Sequence, residues 1–436
     1  MSKLHLTTIL ALSCLCLFLA TAVEAAEEPP VFSPLKQAAE GDPAIVNTVT
    51  MPWPGDHEKP AGPLGRIVTR DLRTGEVTYR ENFTREAFLA EHVSPGGEGS
   101  ATMSPELPPD KNFTWWSEIP DPSVGNYPMH LKVRICWDPP CEEPHGGGCS
   151  GTLIDPMHVL TAGHCVYSFD EDHPGWAEEV TVHPGFDHGD GPWGHAHAVQ
   201  LHSWEGWTVD EDHHHDIAVL DLDRPIGALV GWRGYGYAND CDWYYEGGWM
   251  HWAYPQEDPY DGQSMFENAG NFDTCWSSYE LDLHLAEWDN PTWGGASGCG
   301  GVRDNVVWAI FRGSDRETSS QSSLITDYKF ADIGVMRFDD MPATPDLMPI
   351  YVQAEGLVLE PGDPFASFTF ELVSYSQQGV ITDVSCDVYM STDMIINTND
   401  VWLEDVSVPV NLGAMSSQTV SVSPLAVPVA TGPGRY

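Results

Sequence analysis

The stretch that most restricts the fold runs from Cys149-Ser150-Gly151-Thr152-Leu153-Ile154 to Leu160-Thr161-Ala162-Gly163-His164-Cys165. A strand that starts on small residues, an apolar run and a second strand ending at a histidine lie between two cysteines. Closed on itself, such a clip would hold the His164 imidazole rigidly at a cleft. Around it, from Tyr127 to about Met336, short apolar runs alternate with Gly-, Pro- and Asp-rich turns, and no stretch holds helical periodicity for long. That pattern predicts an all-β barrel or sandwich.

The organisation of the remaining chain follows from composition shifts. An apolar run from Ile9 to Ala22, followed by small residues, reads as a signal peptide over 1–25; it is too short to span a bilayer. Residues 26–111 are rich in Pro, Gly and charge and read as a pro-segment or N-terminal arm, with one hairpin around Thr74-Gly75. A catalytic-type domain is expected over 112–340 and a β-sandwich over 345–436, where Phe368 to Leu372, Val384 to Met390 and Val420 to Val422 alternate as half-buried strands. The formal charge of −46 leaves no basic stripe, which excludes nucleic acid and anionic membrane surfaces as partners. Eight cysteines beyond the leader fit an oxidising, extracellular compartment.

A serine hydroxyl becomes a nucleophile at neutral pH only with a base in hydrogen-bond reach, and the base needs a carboxylate to fix its tautomer. The chain offers one candidate for each role. His164 is the base. Asp216, directly before the apolar run Ile217-Ala218-Val219-Leu220, is the orienting carboxylate; Asp212, its nearest competitor, sits in a charged run read as a solvated loop. Ser297 is the nucleophile, because Gly294-Gly295 before it and Gly298 after it permit a tight turn. His213, His214 and His215 read as surface residues. The histidines between Thr181 and His202, with Asp187 and Asp190, match no fixed zinc-ligand spacing and read as a solvated loop, so no metal is assigned.

The His164 segment resembles the active-site histidine region of chymotrypsin-fold serine proteases. Val182-His183-Pro184-Gly185, Pro192-Trp193-Gly194, Gly206-Trp207, Asp216 to Leu220, Gly231-Trp232-Arg233-Gly234-Tyr235, Ala253-Tyr254-Pro255 and Gly294-Gly295-Ala296-Ser297-Gly298 fall in the order of its glutamyl endopeptidase branch. The resemblance covers roughly Glu118 to Arg337. It implies a double β-barrel, a secreted bacterial serine endopeptidase acting on protein or peptide substrates, no cofactor, a Cys149–Cys165 bridge, and an oxyanion hole from the amides of Gly295 and Ser297. It also places Thr292, Phe311, Arg312 and Gly313 at the substrate pocket, with Thr292 matching a threonine that binds acidic side chains. Three departures stand out: Ala296 replaces the aspartate, Asn or Gln found before the serine, Cys299 stands where a serine or glycine is usual, and Phe311 replaces the pocket histidine. Ala296 and Phe311 support an alternative, an inactive protease fold used for binding or adhesion.

Cys136 and Cys141 flank a turn short enough for a local bridge, and Cys241, Cys275, Cys299 and Cys386 allow three pairings, with Cys386 reading as a core residue. Pro361-Gly362-Asp363 and Val388 to Asp393 resemble bacterial cell-adhesion-related β-sandwich modules. Such modules usually end in one more strand after a segment like Gly432 to Tyr436, so the sandwich is expected to be incomplete or open-edged and to present a cell-surface or matrix contact.

Overall fold

The computed structural model describes residues 5–8, 65–81, 116–139, 147–238, 241–245, 247–277, 284–288, 292–314, 320–344, 346–355, 362–365, 367–391, 400–413, 416–422 and 425–428. The chain divides into two compact units, Ile45–Asp340 and Met1–Ala44 together with Met341–Tyr436.

In the larger unit, strands β1 (Ile67–Asp71) and β2 (Val77–Arg80) form the hairpin, and β3 (His130–Cys136), β4 (Gly147–Leu153), β5 (His158–Thr161), β6 (Glu179–Pro184), β7 (Ala196–Trp204) and β8 (Ala218–Leu222) form a barrel. The order β6-β3-β4-β5-β8-β7 closes because β6 pairs again with β7, at Thr181 with His197 and Val182 with Ala196. Alternate residues of each strand fill the interior, among them Leu131, Val133, Leu160, Val180, Val182, Leu201 and Leu220, all fully buried. A register shift between Ala198 and Gln200 splits β7. Its first part closes the barrel, and its second part, Gln200 to Trp204, pairs with β1. The hairpin is therefore not a loosely attached arm: Ile67 and Val68 are buried, and Arg66 pairs with Glu205.

The second sheet of this unit comprises β9 (Trp249–Ala253), β10 (Phe266–Gly270), β11 (Thr274–Ser277), β12 (His284–Trp288), β13 (Gly300–Arg303), β14 (Val306–Ser314) and β15 (Ser320–Leu324), in the order β11-β12-β15-β14-β13-β9-β10, with Ser117–Glu118 at its end. Strand β3 is buried on both faces because its outward side meets this sheet: His130 stacks on Trp252 at 4.4 Å between centroids, and the Lys132 ammonium donates to the Gly262 carbonyl. The architecture is the all-β chymotrypsin-like arrangement followed by a further sheet unit.

Three features differ from the sequence reading. Helix α1 (Asp327–Asp340) follows β15, although no helical periodicity marks it. Its residues 328–337 are all buried, Lys329, Asp332 and Arg337 included, so no polar face remains to reveal the period. The histidines of 181–202 are not all in a solvated loop: His183 lies on β6 and His202 on β7, both buried. His215 is also buried, because Gly206 lets the ring approach; a Cβ there would lie 2.3 Å from Nδ1.

Cys149 is bridged to Cys165 and Cys241 to Cys275, while Cys299 and Cys386 are free and buried. Cys136 is disulfide-bonded, and Cys141 lies outside the described residues. In the smaller unit, β16 (Leu347–Glu355), β17 (Ser367–Ser374) and β20 (Ser417–Val422) form one sheet and β18 (Val380–Met390) pairs with β19 (Val401–Leu412) in another. The segment His5–Thr8 runs parallel to β18. Phe368, Phe370, Leu372, Val384, Cys386 and Val388 form its core. The segment ending at Tyr436 lies outside the described residues. No helix among the described residues is long and apolar enough to cross a membrane.

Candidate active site

Strand β5 delivers the chain into a single 3-10 turn, Gly163–Cys165, and the Cys149–Cys165 bridge ties that turn back to β4. Gly163 is required here: a Cβ would sit 2.8 Å from the Trp207 ring and 3.1 Å from Asp216 Oδ1. His164 Nδ1 donates to Asp216 Oδ2 at 2.8 Å, and the His164 amide donates to Asp216 Oδ1 at 2.8 Å. Asp216 is buried, at 2% side-chain exposure, while the His164 ring is 31% exposed, so one edge of the imidazole is fixed and the other is open. Asp212, the competing carboxylate, instead accepts from His214 Nδ1 at 2.7 Å and stands 3.3 Å from His215 Nδ1. Those contacts overcome the effect of burial and hold Asp212 well below the usual carboxylate range.

Two cations stand behind Asp216. Arg312 Nε is 3.7 Å from Oδ2, and Arg312 Nη1 donates to Gln321 Oε1 at 2.5 Å. Lys329 donates to the carbonyls of His214 and Leu324. Burial pulls the Lys329 ammonium down to about 7, against the attraction of Asp212 and Asp216.

Ser297 reaches the same place through backbone contacts. Its carbonyl accepts from the Ser150 amide at 2.7 Å. Gly298, at φ +87°, packs so closely that a Cβ would lie 2.2 Å from Thr161 Oγ1 and 2.3 Å from the Ser150 carbonyl. Ser150 is the residue the sequence reading missed. It is fully buried, its Oγ donates to the Gly295 carbonyl at 2.8 Å and accepts from the Tyr254 amide at 2.9 Å, and its carbonyl accepts from Thr161 Oγ1 at 2.8 Å. The small residue after Cys149 was the only signal available in the sequence. These bonds answer how the turn is held despite Ala296, whose methyl is buried among Trp116, Ala253, Cys299 and Phe311.

Of the turn's amides, Ala296 donates to Trp293, Gly298 to Phe311 and Cys299 to Ala296. The amides of Gly295 and Ser297 donate to nothing among the described residues, and neither do the Ser297 hydroxyl or His164 Nε2 make a hydrogen bond there.

The four pocket candidates separate. Thr292 is fully buried, and its Oγ1 has no hydrogen-bond partner among the described residues. Phe311 does not line an open pocket; it is 1% exposed in the apolar cluster under Ala296, because a phenyl ring gains more from that burial than from a polar cleft. Arg312 turns to Asp216 and Gln321, and Gly313 pairs with Gln321 across β14 and β15. Cys299 is not bridged: its Sγ is 3.6 Å from His251 Nδ1, and burial pushes its thiol well up, which keeps it protonated and inert.

Residues 142–242, which carry His164 and Asp216, match the family model described as Trypsin. That stretch of the chain is similar to trypsin-like serine proteases. Among curated proteins, the Extracellular metalloprotease of Bacillus subtilis strain 168 is 41% identical over 117 residues, 27% of this chain and 36% of that protein. The Glutamyl endopeptidase of Bacillus licheniformis is 35% identical over 91 residues, 21% of this chain and 28% of that protein. The chain thus spans about a third of the length of the curated relatives it matches. Among solved structures, a Glu endopeptidase in complex with MPD is 21% identical with a TM-score of 0.42, covering 51% of this chain and 95% of that one. The protease Anisep from Arthrobacter nicotinovorans is 18% identical with a TM-score of 0.38, covering 47% and 96%.

Proposed function

We propose that the trypsin-like domain is a secreted serine endopeptidase that hydrolyses peptide bonds through an acyl-enzyme on Ser297. The observation that carries this reading is that the Gly295 and Ser297 amides, those that would bind an oxyanion, donate to nothing among the described residues, while the amides of Ala296, Gly298 and Cys299 are bonded. His164 Nε2 would take the Ser297 proton as Oγ attacks the carbonyl carbon, while Asp216 holds the ring's other nitrogen as donor. The oxyanion would be met by the Gly295 and Ser297 amides, each such donor being worth about 10²–10³ in rate. The imidazolium would then return its proton to the leaving amine, and water, activated by the same ring, would release the acyl group. The open hydrogen bond between Ser297 and His164 fits a site without substrate, where such contacts tighten on binding.

A fluorophosphonate probe tests this directly. Labelling of Ser297 in the processed protein, absent in Ser297→Ala, is expected. Failure to label correctly folded protein would replace the proposal with a protease fold used for binding.

A further inference from the structure

Strands β6 and β7 are neighbours at the start and end of the loop 185–195, so the residues at the loop's two ends face one another. His183, on β6, is 3% exposed, and its Nδ1 reaches Asp190 Oδ1 at 2.5 Å. His195, just before β7, reaches the other oxygen of the same carboxylate, Oδ2, through its own Nδ1 at 2.8 Å. The ring centroids are 5.1 Å apart, and the potential ligand atoms of the three side chains all lie within 4.8 Å of one another. The cluster is separate from the catalytic-type pair. The other close set, Cys149, His164 and Cys165, is consumed by the disulfide.

We propose that His183, Asp190 and His195 form a binding site for one zinc-class divalent cation. Two imidazole nitrogens and one carboxylate oxygen are a donor set that Zn²⁺ takes at about 2.0–2.2 Å, with water in the fourth position. Ca²⁺ and Mg²⁺ demand more oxygen ligands than are present. A cation between the three groups would replace the two short imidazole–carboxylate hydrogen bonds with three ligand bonds. The far nitrogen of His183 is already anchored: Nε2 lies 2.9 Å from Thr181 Oγ1, so with Nε2–H donating to that hydroxyl the Nδ1 lone pair points inward. Such an oxygen partner on the outer nitrogen is what orients metal-binding histidines. His197, with its ring 5.2 Å from that of His195, is turned to Glu179 through its Nδ1 at 3.5 Å and stands outside the three-residue cluster. Arg134, whose charge acts on His183, opposes a cation, while the Asp190 carboxylate and the chain's strong net negative charge favour one. Bound metal would clamp the loop at its base; at its tip the loop meets the second sheet's side of the unit through the His188 amide and the Gln263 carbonyl, 2.9 Å apart.

The test uses the full-length oxidised protein, stripped with EDTA and dialysed, titrated with ZnCl₂ in a calorimeter and with Co²⁺ in a spectrophotometer. One equivalent is expected to bind, with intense tetrahedral cobalt bands. His195→Ala, at a ring 41% exposed where truncation leaves the core packing intact, and Asp190→Asn should each weaken the site at least tenfold and remove the bands. His173→Ala, an exposed histidine paired with Asp138, should change neither. Several weak equivalents, or one equivalent that survives both His195→Ala and Asp190→Asn with folding verified by circular dichroism, would overturn the site.

Discussion

Two histidines six residues apart show opposite uses of the same chemistry. His158, at the start of β5, is fully buried in a chain of polar groups: Arg337 Nε donates to Asp155 Oδ2 at 2.5 Å, His158 Nδ1 to the same carboxylate at 2.7 Å, and His158 Nε2 stands 3.2 Å from Asp221. Asp221 also accepts from His202 Nε2 at 3.0 Å, and His202 Nδ1 meets Thr69 Oγ1 at 2.8 Å. Burial alone would push the His158 imidazolium down, but Asp155 and Asp221 outweigh it and hold it up at about 10. That chain ties α1, the barrel and the β1–β2 hairpin together, and its charges face charges. His164 has one carboxylate behind it, and an open edge in front, beside a hydroxyl and two amides without partners. Groups that are fully paired stabilise; groups left unpaired at a cleft are available for work.

The contrast can be broken in several places. Removing the open histidine should cost the most in rate and little in fold: His164→Ala is expected to lower peptide hydrolysis by about 10⁴-fold or more with an unchanged thermal midpoint. A midpoint that falls with the activity would give His164 a structural role. The converse holds for the sealed chain. Asp155→Asn leaves Arg337 and the His158 imidazolium without their carboxylate and should destabilise by about 3–5 kcal/mol in denaturant unfolding. Retained stability there would mean that the network is neutral and unimportant. Gly298→Ala, with no room for a methyl and a left-handed φ, should cost about 2–3 kcal/mol and also abolish fluorophosphonate labelling.

Smaller changes sharpen the comparison. Thr69→Val removes the last partner in the chain and should destabilise by about 1–2 kcal/mol, with tryptic release of the hairpin as the readout. The smallest net effect lies in pH. His158, raised to about 10 from an unfolded value near 6.5, contributes stability that is complete below about pH 6.5 and lost as pH rises toward 10. Lys329, held at about 7 against about 10.5 unfolded, acts oppositely, since the unfolded chain binds more protons between those values and stability rises across them. The two slopes offset in the native protein. Lys329→Met should expose the His158 slope as a fall in stability between pH 7 and 10; a flat curve would show that His158 is not held as a cation.

How much of this could be read from the sequence depends on whether the constraint was local. The His164 clip and the glycines around Ser297 are legible because turn geometry and a short disulfide act over a few residues. Ser150 was invisible in its role, since its partners Gly295 and Tyr254 come more than a hundred residues later. Asp155, in the bend before β5, and the strand residues His158, Asp221 and His202 look solvent-facing until α1 and the hairpin cover that face. The helix itself hid for a related reason: buried on every side, it has no amphipathic stripe. Phe311 was placed in a pocket because it stands where the family carries its pocket histidine, and its own chemistry sent it to the core.

The split of β7 carries a consequence for the order of events during folding. Thr69 finds His202 across 133 residues of chain, and β1 has no other strand than its hairpin partner until the second half of β7 exists. Closing so long a loop is slow relative to forming a local hairpin. The part of this unit synthesised earliest is thus among the last that can seat, and until then the strand that will receive it presents a bare edge.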